Sequence, residues 1–318
     1  KGYTLANIFN DAPLVFDIPG RDEPWRPQND NHIFSGPTRL RVALAKSINL
    51  VSVRLLQAID VPYVLTYVKR FGFNAKKLPR NLSLALGTGE VTPIELARAY
   101  AVFANGGYRI TPYLIDHITN EQGQTIYKAE PKIACEACLR GEIPPPSADE
   151  KESPYAPQVI PADIAFLMTS ALKDVIRYGT GSQASILNRR DLAGKTGTTS
   201  DYVDTWFTGF NGAKAALPMW IDFMRVALQG QPEKTMPQPN DIVTASIDPI
   251  SGNLLPSGTP GSILEYFRKN DLLRAPIQED SVTFNTTDNS NTVTDPTENS
   301  TQSETKPQSN KEAGEPLF

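Results

Sequence analysis

Helical and extended patterns are mixed throughout this 318-residue chain, and this mixture constrains its fold more than any other feature. Apolar residues recur at helical spacing in some segments, whereas other segments form short apolar runs bounded by polar turns. Such a mixture excludes a β-sandwich and a helical bundle, and it predicts an α/β or α+β body. The predicted helices cover residues 38–47, 50–58, 62–71, 93–103, 161–176 and 217–228, and the predicted strands cover 113–118, 125–127, 191–198, 204–210, 242–247 and 252–255.

Two polar stretches set the predicted domain organisation. Residues 129–158 are rich in Pro, Glu and Ser and are predicted to form a surface loop excursion. Residues 279–318 hold mainly Thr, Asn, Ser, Asp and Pro, with too few apolar side chains to offset the entropy lost on ordering. We therefore expect one domain over residues 1–278, followed by a disordered acidic tail.

The formal net charge of −4 resides in this tail, because residues 281–318 carry six acidic residues and two lysines. The remaining residues balance at 29 basic and 29 acidic side chains. A neutral body offers no electrostatic surface for nucleic acid, so we expect no nucleic-acid partner. No apolar run approaches the roughly 20 residues that span a bilayer, and the start at Lys1 has no signal-peptide pattern. We expect any membrane anchor to lie upstream of Lys1.

The two cysteines, Cys135 and Cys138, form a C-x-x-C pair. A zinc site needs two further ligands, and His32 and His117 are the only histidines. A thioredoxin-type motif needs a helix after it, whereas residues 139–146 end in three prolines. A free pair and a small local disulfide both remain open, and we predict no metal and no cofactor.

The sharpest local signal is a Gly-Lys-Thr-Gly-Thr sequence around Lys195. In a strand, Lys195 and Gly197 face one side, and Thr196 and Thr198 face the other. A glycine inside a strand often marks a close approach to the backbone, and a lysine between glycine and hydroxyl residues suits an anion. A phosphate-binding loop is excluded because its leading glycine is replaced by Arg189.

A second signal is Ser47-Ile-Asn49, at the junction of two helical patterns. Ser and Asn are poor in helix interiors because their side chains bond to nearby backbone. They either cap the second helix or belong to a functional site, and the local pattern leaves both open.

Together the two signals resemble the penicillin-binding proteins and serine β-lactamases, whose motifs S-x-x-K, S-x-N and K-[ST]-G follow one another along the chain. Wider stretches narrow the resemblance to the C-terminal part of the transpeptidase domain of class A penicillin-binding proteins, which are bifunctional peptidoglycan synthases. It extends over about residues 1–275. The supporting stretches are 25–29 (Trp-Arg-Pro-Gln-Asn), 86–93 (Leu-Gly-Thr-Gly-Glu-Val-Thr-Pro), 99–107 (Ala-Tyr-Ala-Val-Phe-Ala-Asn-Gly-Gly) and 178–182 (Tyr-Gly-Thr-Gly-Ser).

This resemblance implies a β-lactamase/transpeptidase-like fold, a central antiparallel sheet flanked by helices, and a serine-type D,D-transpeptidase activity. A serine attacks the penultimate D-Ala carbonyl of a stem pentapeptide, D-Ala leaves, and an amine from a neighbouring stem resolves the acyl-enzyme. The implied partners are stem pentapeptides and β-lactams, and the implied location is the periplasmic face of the bacterial inner membrane.

The resemblance also implies residue roles. Ser47 would lie on the proton path to the leaving amine, Asn49 would hold the substrate amide, and Lys195 would bond to Ser47 and supply positive potential. The residues that would bind the substrate are Thr196, Gly197 and Thr198. The two threonines would bind the terminal carboxylate, and the Thr198 backbone N–H would be one oxyanion-hole donor.

Two departures from the family pattern lead us to expect an inactive chain. In the family the S-x-x-K nucleophile motif lies just before the segment that resembles Lys1–Thr4, so we expect it to fall outside this sequence. Ser303-Glu-Thr-Lys306 has the same spacing, but we dismiss it because it lies in the predicted tail. A further apolar strand is expected between residues 205–211 and 212–220 but is missing, which leaves the sheet incomplete and exposes a strand edge.

Two alternatives stay open beside the transpeptidase. One is a D,D-carboxypeptidase or β-lactamase-type hydrolase of the same superfamily, although the stretches 25–29 and 99–107 favour the synthases. The other is a non-catalytic remnant that holds a D-Ala peptide reversibly through Lys195, Thr196 and Thr198. Loss of such binding on Lys195→Ala would support the remnant.

Overall fold

Nearly all of the predicted domain is visible in a computed structural model. Contacts divide the chain into a unit Lys1–Glu279 and a unit Asp280–Phe318. The predicted tail, the centre of the predicted excursion and the junction at 210–216 lie outside the described residues. The structure describes residues 2–17, 22–144, 153–198, 205–209 and 217–272.

Helices and antiparallel strand pairs alternate in the first unit, which confirms the predicted mixed α/β class. The α-helices are α1 (Leu40–Lys46), α2 (Asn49–Ile59), α3 (Val61–Tyr67), α4 (Pro93–Ala104), α5 (Glu136–Leu139), α6 (Ala162–Arg177), α7 (Leu217–Ala227) and α8 (Lys269–Leu272), and short 3-10 helices cover Val68–Phe71, Leu82–Leu86 and Ser182–Leu187. The strands are β1 (Ile8–Asp11), β2 (Gly36–Arg39), β3 (His117–Thr119), β4 (Thr125–Lys128), β5 (Gly194–Thr198), β6 (Thr205–Gly209), β7 (Ile242–Ile247) and β8 (Ile263–Arg268). They pair as β1–β2, β3–β4, β5–β6 and β7–β8, all antiparallel.

Within the described part of the chain no helix is both long and apolar enough to cross a membrane.

The predicted start of the first helix is wrong by two residues. Thr38 was expected to begin the helix, but it lies in β2, opposite Phe9 of β1. The helix α1 begins at Leu40, and its N-cap residue Arg39 makes no side-chain capping bond. Pairing with β1 therefore decides the conformation of Thr38, and its capping preference does not.

The predicted second hairpin, between residues 242–247 and 252–255, is confirmed only as a short antiparallel contact. β7 pairs over its whole length with β8, from Ile242 opposite Arg268 to Ile247 opposite Ile263. The expected strand 252–255 contributes one bridge, between Leu254 and Ile247. Both segments are short and apolar, so local pattern alone did not distinguish them.

A buried cluster fixes the strand pair β5–β6 against α6 and α7. Trp220 of α7 is fully buried, and its ring lies 4.7 Å from that of Phe207 in β6. Ile176 of α6, Leu192 and Met224 complete the centre of this cluster. Packing of two helices on one strand pair therefore positions the segment that carries Lys195.

A buried ionic network joins α1, α6 and β8. The Arg41 guanidinium donates to both carboxylate oxygens of Glu265, at 2.6 to 3.0 Å, and to Asp174 at 2.8 Å. Burial by itself would lower the pKa of Arg41, but hydrogen bonds and charge from Glu265 and Asp174 outweigh it and raise that pKa. The network thereby connects α1 to α6 and to β8.

The described ends of the predicted excursion pack into a small core of their own. Tyr108, Cys135 and Ala156 are all at most 1% exposed. A disulfide joins Cys135 to Cys138, which settles the alternative left open from the sequence in favour of the local disulfide. This cluster contains no residue of the candidate site.

Candidate active site

The Ser47 corner is a sharp break between two helices. α1 ends at Lys46, and its C-cap residue Ser47 has a left-handed backbone with φ 56° and ψ 45°. Only a few per cent of non-glycine residues adopt a positive φ, and those that do are often found at functional sites. The N-cap of α2 is Ile48, with no side-chain capping bond, so the interpretation of Ser47 and Asn49 as caps of this helix is wrong.

Lys195 reaches this corner from β5. Its Nζ donates to Ser47 Oγ at 2.7 Å and to the Thr196 carbonyl at 3.0 Å. The two side chains are separated by 148 residues in sequence. β5 is held in place by β6, with Lys195 opposite Thr208 and Thr196 opposite Phe207. The structure therefore brings together the strand and the corner that the sequence singled out.

Burial changes the acid–base chemistry of Lys195. Removal from water lowers the pKa of its amine from 10.5 to about 8, because desolvation disfavours the charged form. The amine is therefore mostly protonated near pH 7 but loses its proton more easily than an exposed lysine. Such a group supplies positive charge and can exchange a proton through Ser47.

Thr180 links the corner to the strand, and the sequence reasoning assigned it no role. Its backbone N–H donates to the Ala45 carbonyl of α1 at 3.1 Å, and its hydroxyl lies 2.6 Å from that of Thr196. A Cβ on the preceding residue, Gly179, would stand 2.1 Å from the Ala45 oxygen. The glycine therefore permits the close approach that Thr180 uses. The only signal in the sequence was the Tyr-Gly-Thr-Gly-Ser stretch itself.

Asn49 is half-buried at the start of α2, and its amide nitrogen donates to the Gln28 carbonyl at 2.9 Å. The neighbouring Asn29 accepts from the Leu50 backbone N–H and donates to Asp11. These hydrogen bonds connect the stretch 25–29 to the Ser47 corner. The expected role of Asn49 toward a substrate amide stays a prediction.

The far end of β5 is open. Gly197 is exposed, and a Cβ there would come no closer than 3.7 Å to the Trp206 side chain, so packing does not require glycine at this position. Thr198 pairs with Thr205, but its side chain lies outside the described part of the structure. The expected roles of Thr196 and Thr198 in carboxylate binding, and of Gly197 in substrate binding, remain predictions.

Ser170-Ala-Leu-Lys173 in α6 is a further Ser-x-x-Lys match, and its surroundings do not suit a nucleophile of this site. The Ser170 hydroxyl accepts a hydrogen bond from Arg41 at 3.2 Å, inside the buried ionic network. Burial lowers the pKa of Lys173, and the charges acting on it come from Arg177, Asp191 and Glu233. None of these groups belongs to the Ser47 corner.

Comparison with known proteins identifies the family of this chain. A family model described as the penicillin-binding protein transpeptidase domain matches residues 5–222. Penicillin-binding protein 1A of Pseudomonas aeruginosa is 41% identical over 320 residues, which covers 85% of this chain and 39% of the relative. Penicillin-binding protein 1A of Vibrio cholerae is 35% identical over 314 residues, covering 84% and 38% respectively. The chain thus spans about two fifths of the length of these relatives.

A solved structure shows the same fold. The crystal structure of penicillin-binding protein 1A from Haemophilus influenzae matches with a TM-score of 0.74 at 34% identity, covering 84% of this chain and 45% of that one. This likeness confirms the predicted transpeptidase-like fold. Among the described residues β6 pairs with β5 alone.

Proposed function

Since this chain belongs to the penicillin-binding protein transpeptidase family, we propose that it is the substrate-binding part of a D,D-transpeptidase domain that cross-links peptidoglycan. The parent protein would be a bifunctional cell-wall synthase on the periplasmic face of the inner membrane. The observation that carries the proposal is the 2.7 Å bond from Lys195 Nζ to Ser47 Oγ. It joins the K-[ST]-G strand to the S-x-N corner.

The contact supports a proton relay. When the nucleophile attacks the D-Ala carbonyl, the peptide C–N bond breaks and the departing D-Ala amine needs a proton. Ser47 would deliver that proton from its hydroxyl and recover one from the ammonium of Lys195, whose lowered pKa eases the transfer. An acceptor amine would return the proton along the same path as it resolves the acyl-enzyme.

The same strand would recognise the substrate terminus. The positive charge of Lys195 and the hydroxyl of Thr196 would bind the D-Ala carboxylate, since charge-assisted hydrogen bonds are the strong ones. The exposed backbone at Gly197 leaves room for an extended peptide beside β5. Thr198 would complete the carboxylate site and supply one oxyanion-hole N–H.

We also propose that the 318-residue polypeptide by itself forms no acyl-enzyme, because within the described part of the chain the Ser-x-x-Lys match Ser170–Lys173 belongs to the Arg41 network and not to the Ser47 corner. The test is incubation with a fluorescent penicillin, followed by denaturing electrophoresis. Penicillin-binding protein 1A of Pseudomonas aeruginosa serves as the positive control. We expect no labelled band from the 318-residue chain, and a denaturation-resistant band would refute this proposal.

Reversible binding of a D-Ala-D-Ala peptide is a separate expectation, favoured by the hydrogen bonds that hold Lys195 and Thr196 at the Ser47 corner. Isothermal titration calorimetry with an N-acetylated D-Ala-D-Ala peptide tests it. Lys195→Ala removes a charge-assisted bond and should lower affinity by about tenfold or more. Lys128→Ala, in the exposed strand β4, is the control and should bind like the parent chain. Equal affinities for the two variants would exclude Lys195 from the binding site.

A further inference from the structure

A pair of hydroxyl groups borders the candidate site, and its hydrogen bond is distinct from the one between Lys195 and Ser47. Thr180 Oγ1 and Thr196 Oγ1 lie 2.6 Å apart, and either atom can be the donor. Thr180 is exposed and Thr196 is half-buried, so the pair is accessible from solvent. The backbone bond from Thr180 to Ala45 fixes one end, and β5 fixes the other.

Proton count decides the direction of this hydrogen bond once a carboxylate binds. A threonine hydroxyl carries one proton, and a carboxylate only accepts hydrogen bonds. If Thr196 gives its proton to a carboxylate, it has none left for Thr180. The 2.6 Å contact then persists only with Thr180 as the donor and Thr196 as the acceptor.

On the basis of the proposed function, we propose that Thr180 is a specificity-determining residue that orients and polarises the Thr196 hydroxyl toward the carboxylate of a D-alanyl terminus. The chain of bonds runs from the Thr180 hydroxyl to Thr196 and from Thr196 to the carboxylate. Hydrogen bonds in such a chain strengthen one another. The gain is larger for an anionic acceptor than for a neutral amide, so Thr180 sets the preference for a free C-terminus.

Three variants separate this role from a structural one. Thr180→Val removes the hydroxyl but keeps the side-chain shape and the backbone N–H that bonds to Ala45. Thr180→Ser restores a hydroxyl. Thr66→Val is the matched control, because the Thr66 hydroxyl bonds locally to the Pro62 carbonyl within α3.

The measurement is calorimetric affinity for two peptides, an N-acetylated D-Ala-D-Ala acid and the same peptide with a C-terminal carboxamide. We expect the parent chain to prefer the acid, and Thr180→Val to weaken acid binding about fivefold while changing amide binding less than about twofold, the size of one net hydrogen bond. Thr180→Ser and Thr66→Val should keep the parent ratio.

Each other outcome counts against the inference in a distinguishable way. If Thr180→Val weakens both peptides equally, the residue is structural, and if it weakens neither, the hydroxyl pair has no role. In both cases the proposed function stands, because the parent chain still prefers the acid. A parent chain that binds neither peptide, or binds both equally, overturns the proposed function and this inference together.

Discussion

Replacing Arg41 by Met tests whether the buried ionic network holds the first unit together. Arg41 is 8% exposed and contacts Glu265 and Asp174, which are 1% and 6% exposed. Its loss leaves two buried carboxylates without their main partner, a change that typically costs about 3–5 kcal/mol. Arg39 at 3.6 Å from Glu265 and Arg177 at 3.3 Å from Asp174 remain. We therefore expect the lower end, about 3 kcal/mol.

Urea denaturation followed by tryptophan fluorescence measures this change, since the fully buried Trp220 reports on unfolding. With a slope of about 3 kcal/mol per molar urea, the midpoint of Arg41→Met should fall by about 1 M. Arg225→Met is the matched control. The Arg225–Asp222 pair is exposed, with side chains 57% and 72% accessible, and such pairs contribute at most about 1 kcal/mol.

A combined variant identifies the cause of the loss. If the loss comes from unpaired charge, Arg41→Met with Glu265→Gln and Asp174→Asn should be more stable than Arg41→Met alone. If the loss comes only from packing around the guanidinium, the combined variant should be no more stable than the single one. A midpoint for Arg41→Met within about 0.3 M of the parent, roughly 1 kcal/mol, would refute the reasoning altogether.

Two further predictions concern the site itself. Burial lowers the pKa of Lys195 to about 8, so between pH 8 and 10.5 the unfolded chain holds a proton that the folded chain has released. The free energy of unfolding should therefore rise with pH in this range, by at most about 1.4 kcal/mol per pH unit. Lys195→Met should lack this rise in thermal or urea unfolding, and parallel pH profiles for the variant and the parent chain would contradict the prediction. Gly179→Ala places a Cβ 2.1 Å from the Ala45 carbonyl oxygen and should lower the free energy of unfolding in urea by at least about 2 kcal/mol. The control Gly197→Ala, whose Cβ would have its nearest neighbour at 3.7 Å, should change that free energy by less than about 1 kcal/mol. Equal effects of the two variants would contradict the prediction, because they would mean that the chain relaxes around the clash.

Local signals predicted the helices well because those signals act within a few residues. At α4, Pro93 occupies the first turn and Thr92 and Glu95 form a capping box, so the start of the helix is specified by four consecutive residues. The strand partner of β7 is specified only by tertiary packing. Local pattern therefore located β7 correctly and indicated its short contact with Leu254, but it did not predict the main partner, β8.

In the candidate site, too, some features could be predicted from the local sequence, whereas others depend on tertiary contacts. The Lys195 strand and the Ser47 corner are visible as local patterns, but their proximity across 148 residues was expected only from the family resemblance. The pairing of Arg41 with Glu265, 224 residues away, had no local signal at all. For Thr180 the stretch Tyr-Gly-Thr-Gly-Ser was a signal of the family resemblance, but it did not predict the contact with Thr196, which only the tertiary fold creates.

Two features of the Ser47 corner cost free energy, namely the backbone of Ser47 and the burial of Lys195. Ser47 holds a left-handed backbone, and Lys195 is an amine held away from water. Such costs persist only where the surrounding structure enforces them, and here Lys195 bonds to Ser47 while Thr180 bonds to both Ala45 and Thr196. All of these contacts lie within the chain itself. The proposed carboxylate recognition can therefore be tested by reversible peptide binding, separately from the formation of an acyl-enzyme.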